Sequence, residues 1–152
     1  MDFLANQIIL KSSNRYVGIY KFFRETYSIK YHELFTLVAS LGFVRNNKEQ
    51  TTEKSNGIEF RSNYFNNSQK SSIYSIILND PEVGKQVEKF DDEDSILIYR
   101  KLIEDYAEGG MSILIDEVFG KKWNGVTLDD DYTEYDVDII SFYLAYQQQV
   151  PF

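Results

Sequence analysis

The sequence predicts a mainly α domain of five to six helices with one short strand or hairpin. Three observations carry this. Only two prolines, Pro81 and Pro151, interrupt 152 residues. Apolar residues recur at i, i+3, i+4 and i+7 along most of the chain, the spacing of a helix with one buried face. Strand-like alternation is confined to Ile58, Glu59, Phe60 and Arg61. A chain of this length buries roughly 70% of the surface its unfolded form exposes, enough for a core without disulfides or metals. No internal repeat and no linker divides it, so residues 1–152 are expected to form one domain.

The elements follow in order. Asn14 is placed to cap a helix over 15–25, in which Tyr16, Ile19, Tyr20 and Phe23 share one face while Lys21 and Arg24 point outward. A second helix over 30–41 carries a broad apolar stripe of Leu34, Phe35, Leu37, Val38 and Leu41. Gly42 then suits the left-handed position that ends a helix. Residues 45–57 contain no apolar side chain and read as an exposed, mobile loop closed by Gly57. The alternation at 58–61 reads as a strand, which needs a pairing partner, with another chain as one source.

Ser68 is placed to cap a third helix to Leu78, with Ile73, Ile76 and Ile77 inward, before Asn79, Asp80 and Pro81 end it. The acidic run Asp91, Asp92, Glu93, Asp94 suits the N-terminus of a longer helix, where the macrodipole favours negative charge. Its predicted stripe is Ile96, Leu97, Tyr99, Ile103 and Tyr106. Gly109 and Gly110 predict a short break or kink before the pattern resumes at Met111, Ile113, Leu114, Ile115, Val118 and Phe119. The last helix, over 136–148, carries Val137, Ile139, Ile140, Phe142, Tyr143 and Tyr146. It is apolar nearly all round, which predicts burial or an interface.

Composition removes whole classes of chemistry. Without cysteine there is no disulfide, thiol nucleophile, cysteine zinc site or iron–sulfur cluster, and His32 is the single imidazole. The motifs GxxxxGK[ST], GxGxxG and GxSxG are all absent. No cofactor and no metal is expected. The run Asp129, Asp130, Asp131, Glu134, Asp136, Asp138 begins like a calcium loop, with Asp129, Asp131 and Thr133 as oxygen ligands. It departs from one where Glu134 replaces the turn glycine and Ile140 the bidentate glutamate. A metal-dependent nuclease would use Glu59 with Arg61 and Asp80 or Glu82, but the order is wrong and arginine replaces lysine. His32 reads as an ordinary helix-rim residue.

Charge is unevenly placed. Sixteen Lys and Arg against 24 Asp and Glu give −8 overall, divided as ten against six over residues 1–75 and six against eighteen over 76–152, or +4 beside −12. Opposite-sign packing of the two halves is the plain reading, and a pair of partner-facing surfaces the sharper one. The acidic excess disfavours a whole-protein grip on nucleic acid. A local basic edge, Lys11, Arg15, Lys21, Arg24 and Lys30 among Tyr16, Tyr20, Tyr27 and Tyr31, has the makings of a phosphate and base contact. The strongest apolar stretch, Leu34 to Val44, is too short to span a bilayer, and Met1 is followed by an acidic residue; a cytoplasmic protein without membrane contact is expected. Twelve Tyr, eleven Phe and one Trp exceed the evident needs of the core and favour a protein interface.

Two stretches carry a family resemblance. HELFTLVASLGF, with Arg45 just beyond, and IEDYAEGGMSIL resemble the paired signatures of small proteins encoded beside bacterial DNA phosphorothioation (Dnd) systems. Ala39, Gly42, Phe43 and Arg45 match an apolar helix closing in Ala-x-x-Gly-aromatic with an arginine turn. Tyr106, Ala107, Gly109, Gly110, Met111 and Leu114 match aromatic-Ala-x-Gly-Gly-apolar. The resemblance covers residues 30–116 and omits the first helix and the acidic, aromatic extension over 120–152. It implies a non-catalytic accessory component of an anti-phage assembly, working beside larger nuclease or ATPase subunits. The expected protein contacts are Trp123, Tyr132, Tyr135, Phe142, Tyr143 and Tyr146. Arg15, Arg24, Arg45 and Arg61 are the expected secondary contacts, to a partner or weakly to nucleic acid, and self-association is compatible with both sets. The competing expectations are a phage-encoded inhibitor whose acidic half imitates DNA and, behind it, the nuclease.

Overall fold

A computed structural model describes residue 4 and residues 7–85 and 93–149, and the fold is mainly α. Among the described residues five α-helices, α1 (Val17–Tyr27), α2 (Tyr31–Val44), α3 (Asn67–Asn79), α4 (Glu93–Leu114) and α5 (Tyr135–Gln149), accompany a two-stranded antiparallel sheet. Its strands are β1 (Ile9–Lys11) and β2 (Glu59–Arg61), registered Ile9 to Arg61, Leu10 to Phe60 and Lys11 to Glu59. The strand expected at 58–61 therefore finds its partner in the same chain. That partner segment has only three residues and no alternation long enough to announce it.

The central contact is α2 against α4. Gly42, Gly109 and Gly110 make it possible, in a way that corrects both glycine expectations. Gly42 does not end α2 but lies buried within it, and the helix runs on to Val44. The left-handed residue follows at Asn46, with φ of 51°. Likewise α4 passes through Gly109 and Gly110 without a break. A methyl group built on Gly42 would lie 2.0 Å from the Tyr106 carbonyl oxygen, and one built on Gly110 1.7 Å from that of Val38. The glycines thus serve close backbone approach, which period and propensity alone do not reveal. Phe43 and Tyr106 then meet edge to face, with ring centroids 5.6 Å apart.

Capping differs from the sequence reading in two places. Asn14 opens a 3-10 turn (Asn14–Tyr16) that leads into α1, and α1 has no side-chain cap. For α3 the cap is Asn66 rather than Ser68: Asn66 Oδ1 accepts the Gln69 N–H at 2.8 Å and Gln69 Oε1 accepts the Asn66 N–H at 2.9 Å. This reciprocal box satisfies two otherwise orphaned donors. Ile73, Ile76 and Ile77 are buried as expected. Asp91 and Asp92 lie outside the described residues. On α4, Ile96 is half-buried and Tyr99, Ile103 and Tyr106 are buried, but Leu97 is exposed and Leu102 takes the buried position instead.

Beyond α4 the helix widens into a π segment (Ile115–Phe119) and stops at Gly120, whose φ is 56°. Phe119 packs against Phe23 and Tyr135. The chain then returns α5 across α1 and α2. Tyr27 donates its hydroxyl to the Thr133 carbonyl at 2.8 Å and accepts the Tyr135 N–H at 3.1 Å, while the Tyr143 hydroxyl donates to Leu37 O at 3.2 Å. Tyr20, Tyr99, Tyr106 and Tyr135 are fully buried. Much of the tyrosine surplus is thus consumed by the core and by hydroxyl staples between elements.

Candidate functional site

Two features stand out: a row of buried carboxylates on α4, and the outer face of α5. The first was missed in the sequence. From Leu102 to Met111 every residue of α4 is buried, Glu104, Asp105 and Glu108 included. Buried carboxylates need partners, and the polar segment after α2, read as a free loop, supplies half of them through Thr51 and Lys54. Glu104 accepts the Lys11 N–H at 2.7 Å and pairs with Lys54. Asp105 accepts the Thr51 N–H at 3.0 Å and the Thr51 hydroxyl at 2.9 Å, and pairs with Lys101. Its carbonyl takes the Glu49 N–H at 3.0 Å. The loop is thus tied down by polar contacts rather than by apolar anchors.

Glu108 is less well served. Its Oε1 accepts the Ser13 N–H at 3.2 Å, and the Ser13 hydroxyl beside it is buried without a well-aligned hydrogen bond. Burial raises its pKa to about 7, against the lowering effects of Ser13 and Arg15 and with Glu49 adding to the rise. Asp80, at the end of α3, behaves oppositely. Burial pushes it up, yet the Val83 N–H, the Tyr106 hydroxyl, the Glu82 N–H and Lys48 together hold it below the usual carboxylate range. The Tyr106 hydroxyl donates to it at 2.7 Å. Both carboxylates bind their own chain. The nuclease arrangement does not gain from this, because Asp80 is engaged internally and Glu59 faces solvent beside Lys11.

The second feature is built by the first turns of α5. Tyr135 and Ile139 point into the core. Val137, Ile140 and Leu144, at i, i+3 and i+7, fall on the opposite side and are 52%, 59% and 55% exposed. Asp136 and Asp138 stand about 100° to either side of Val137 on the helical wheel. Beside this stripe an apolar groove of about 260 Å³ opens between α2 and α5, lined by Phe23, Ile29, Leu34, Leu37, Ile139 and Ile140 with Glu33 and Asp136 at its polar edge. The face was expected to be apolar nearly all round. Its inner half serves the core and its outer half has no covering element among the described residues.

No family model, curated protein or solved structure matches this chain. The functional reading therefore rests on the residues themselves.

The expected contact residues do not form one surface. Tyr135 is fully buried and presents nothing to a partner. Trp123 is half-buried against Tyr16, with its indole N–H buried and without a hydrogen-bond acceptor. Tyr132 donates its hydroxyl to Asp138 and has Lys122 Nζ 4.3 Å from its ring centre. Phe142 and Tyr143 are half-buried and packed together edge to face. Tyr146 is half-buried below Arg45, whose guanidinium lies 5.9 Å from its ring centre. Sequence reasoning thus chose the aromatic half of α5, and the structure exposes the aliphatic half.

The arginines are dispersed and already engaged. Arg15 lies over Tyr16 and pairs with Glu49 at 3.4 Å, and Arg24 lies over Tyr31. Arg45 grips Glu117 through both terminal nitrogens, and Arg61 reaches Gln7 at 3.4 Å. Tyr16 and Tyr20 are buried, so they cannot stack on bases. His32 is half-buried among Phe60, Tyr64 and Phe65, and burial lowers its pKa. The carboxylates of Asp129, Asp130 and Asp131 come within 4.8 Å of one another at an exposed turn, in which Asp129 accepts the Asp131 N–H.

Proposed function

We propose that this chain is a non-catalytic accessory subunit that binds a larger protein through the outer face of α5, within a bacterial anti-phage defence complex. The observation that carries the binding role is the row of Val137, Ile140 and Leu144 left exposed on a helix whose other side is built into the core. Three large aliphatic side chains aligned beside an apolar groove mark an interaction site far better than the same residues scattered singly. The defence context rests on the two motifs alone. Their glycines, Gly42, Gly109 and Gly110, are accounted for by the α2–α4 contact, so the motifs speak for a shared helix pair rather than a shared reaction.

The competing inhibitor that imitates DNA needs the acidic side chains of the second half on one surface. Asp80, Glu104, Asp105 and Glu108 are instead turned inward, which weakens that reading. The test is co-expression with the products of neighbouring genes, capture through the wild-type chain, and capture through the double variant Ile140→Asp, Leu144→Asp. Loss of the same partner from the variant, with an unchanged melting curve, supports the proposal. Equal capture by both forms sinks it. Cleavage of DNA with magnesium or manganese that is lost in Glu59→Gln would reinstate the nuclease.

A further inference from the structure

We infer that the partner segment received by the α2–α5 groove is an amphipathic helix with an apolar row flanked by lysine or arginine. This deepens the proposed function and rests on it. The shape argument comes first. The groove is narrow and apolar, about 260 Å³, and continuous at Ile140 with the stripe Val137, Ile140, Leu144. That volume suits one or two aliphatic side chains rather than a folded surface. The stripe spans about two turns, the length over which a docked helix presents anchors at i, i+3 or i+4, and i+7.

Charge then selects the occupant. Asp136 and Glu33 rim the groove, and Asp138 stands on the other side of the stripe. Asp129, Asp130, Asp131 and Glu134 lie just before α5. Among the described residues none of these six aspartates and glutamates of the 129–138 segment forms an ion pair with a lysine or arginine; Lys21, Lys121 and Lys122 line a neighbouring cavity with Asp129 and Asp130, so the rim that faces the groove and stripe is Glu33, Asp136 and Asp138. An acidic or neutral helix would leave this rim uncompensated, whereas basic residues flanking the apolar row would meet it on both sides. A second copy of α5 fits badly, since it would set Asp136 and Asp138 against their own kind.

The test uses the full chain and three labelled 18-residue peptides in fluorescence anisotropy. The probe is a leucine-striped helix flanked by lysines. One control replaces every lysine by glutamate, and the other scrambles the probe. Expected is binding of the probe at least about tenfold tighter than either control, a further loss of about tenfold with Ile140→Asp, and a shallower salt dependence with Asp136→Asn. Both substitutions are at exposed or half-exposed positions, so circular dichroism melting should hold and exclude misfolding. Equal binding of probe and scramble, or preference for the glutamate peptide, overturns the inference. So does a dimer in sedimentation that Ile140→Asp dissolves, because the occupant is then a second copy. If the probe fails while a native partner is still captured through Ile140 and Leu144, the basic helix falls and the binding role stands. If the probe binds but no native partner depends on that face, the binding role falls.

Discussion

Gly110→Ala decides between two opposite roles for the glycine pair. In an isolated helix the change is stabilising by about 1 kcal/mol, because alanine is the better helix former. A kink held open by Gly109 and Gly110 would yield the same sign. The structure demands the reverse. The added methyl would fall 1.7 Å from Val38 O, 2.6 Å from Val38 C and 3.0 Å from Gly42 N. Relief to an ordinary contact moves α4 away from α2 by roughly 1.5 Å, and all three neighbours are backbone, so no rotamer change absorbs it. Overpacking costs about 1–3 kcal/mol where side chains can yield and roughly 4 kcal/mol where, as here, the backbone itself must move. With the helix-propensity gain subtracted, the expected loss is about 3 kcal/mol. For a domain of this size that lowers Tm by about 6–12 °C. Thermal and urea unfolding followed by circular dichroism measure it directly. A Tm equal to or above that of the wild type refutes the close-packing role and reinstates the kink.

Four further outcomes follow from the buried polar groups and the loop. Glu108 has a folded pKa of about 7 against an ordinary 4.5, so the folded state holds a proton that the unfolded chain has released. Stability therefore falls as pH rises through this window, by about 2 kcal/mol between pH 5.5 and 8, and Glu108→Gln removes that slope in melts across the range. Lys54→Met leaves Glu104 buried with the Lys11 N–H as its remaining partner; because Lys54 is itself partly exposed, a loss of about 2 kcal/mol in urea midpoint is expected rather than the full cost of a buried pair. Tyr106→Phe removes a hydrogen bond to a charged acceptor and costs about 1–2 kcal/mol. The lowered pKa of Asp80 contributes stability that is present above the ordinary carboxylate range and lost as pH falls through the folded value, so acid unfolding of Tyr106→Phe begins at a higher pH than in the wild type.

Much of the architecture was legible because apolar period reports burial directly. Tyr16, Ile19, Tyr20 and Phe23 on α1, and Ile73, Ile76 and Ile77 on α3, are buried as their spacing requires. What escaped was whatever depends on a distant segment. Gly42 and Gly110 carry the same local signal whether they end a helix or admit a neighbouring backbone, and only the α2–α4 crossing separates the two. The β1 strand, three residues long, is defined by β2 some fifty positions away. Within the candidate site, the exposed aliphatic row was visible as part of an all-round apolar helix, but which half would be covered was not. The buried acidic row had one usable signal. Leu102, Ile103, Tyr106 and Ala107 spread apolar residues around most of the α4 circumference, and a helix enclosed on several sides forces Glu104, Asp105 and Glu108 to find partners.

The charge imbalance of the two halves takes on a specific meaning from where its pairs form. Arg45 with Glu117, Lys48 with Asp80 and Lys54 with Glu104 all join the positive half to the negative half, and all three cations come from the segment just after α2. That segment has no apolar residue with which to dock, so opposite charge is what fixes it against α4. Three of the ten cations of the positive half are engaged in this way. The acidic residues from Asp129 to Asp138 lie beyond the reach of these pairs in sequence and contribute no ion pair of their own among the described residues. At physiological salt a charge is felt over about 8 Å, so Lys21, Lys121 and Lys122, which line one cavity with Asp129 and Asp130, offset the start of this run, while Asp136 and Asp138 flank the exposed stripe of α5. The net charge of −8 is therefore not spread evenly over the surface. At α5, Asp136, Asp138 and Glu33 border a helix face that leaves Val137, Ile140 and Leu144 uncovered, and this coincidence is the ground for proposing a basic, amphipathic partner over an apolar one.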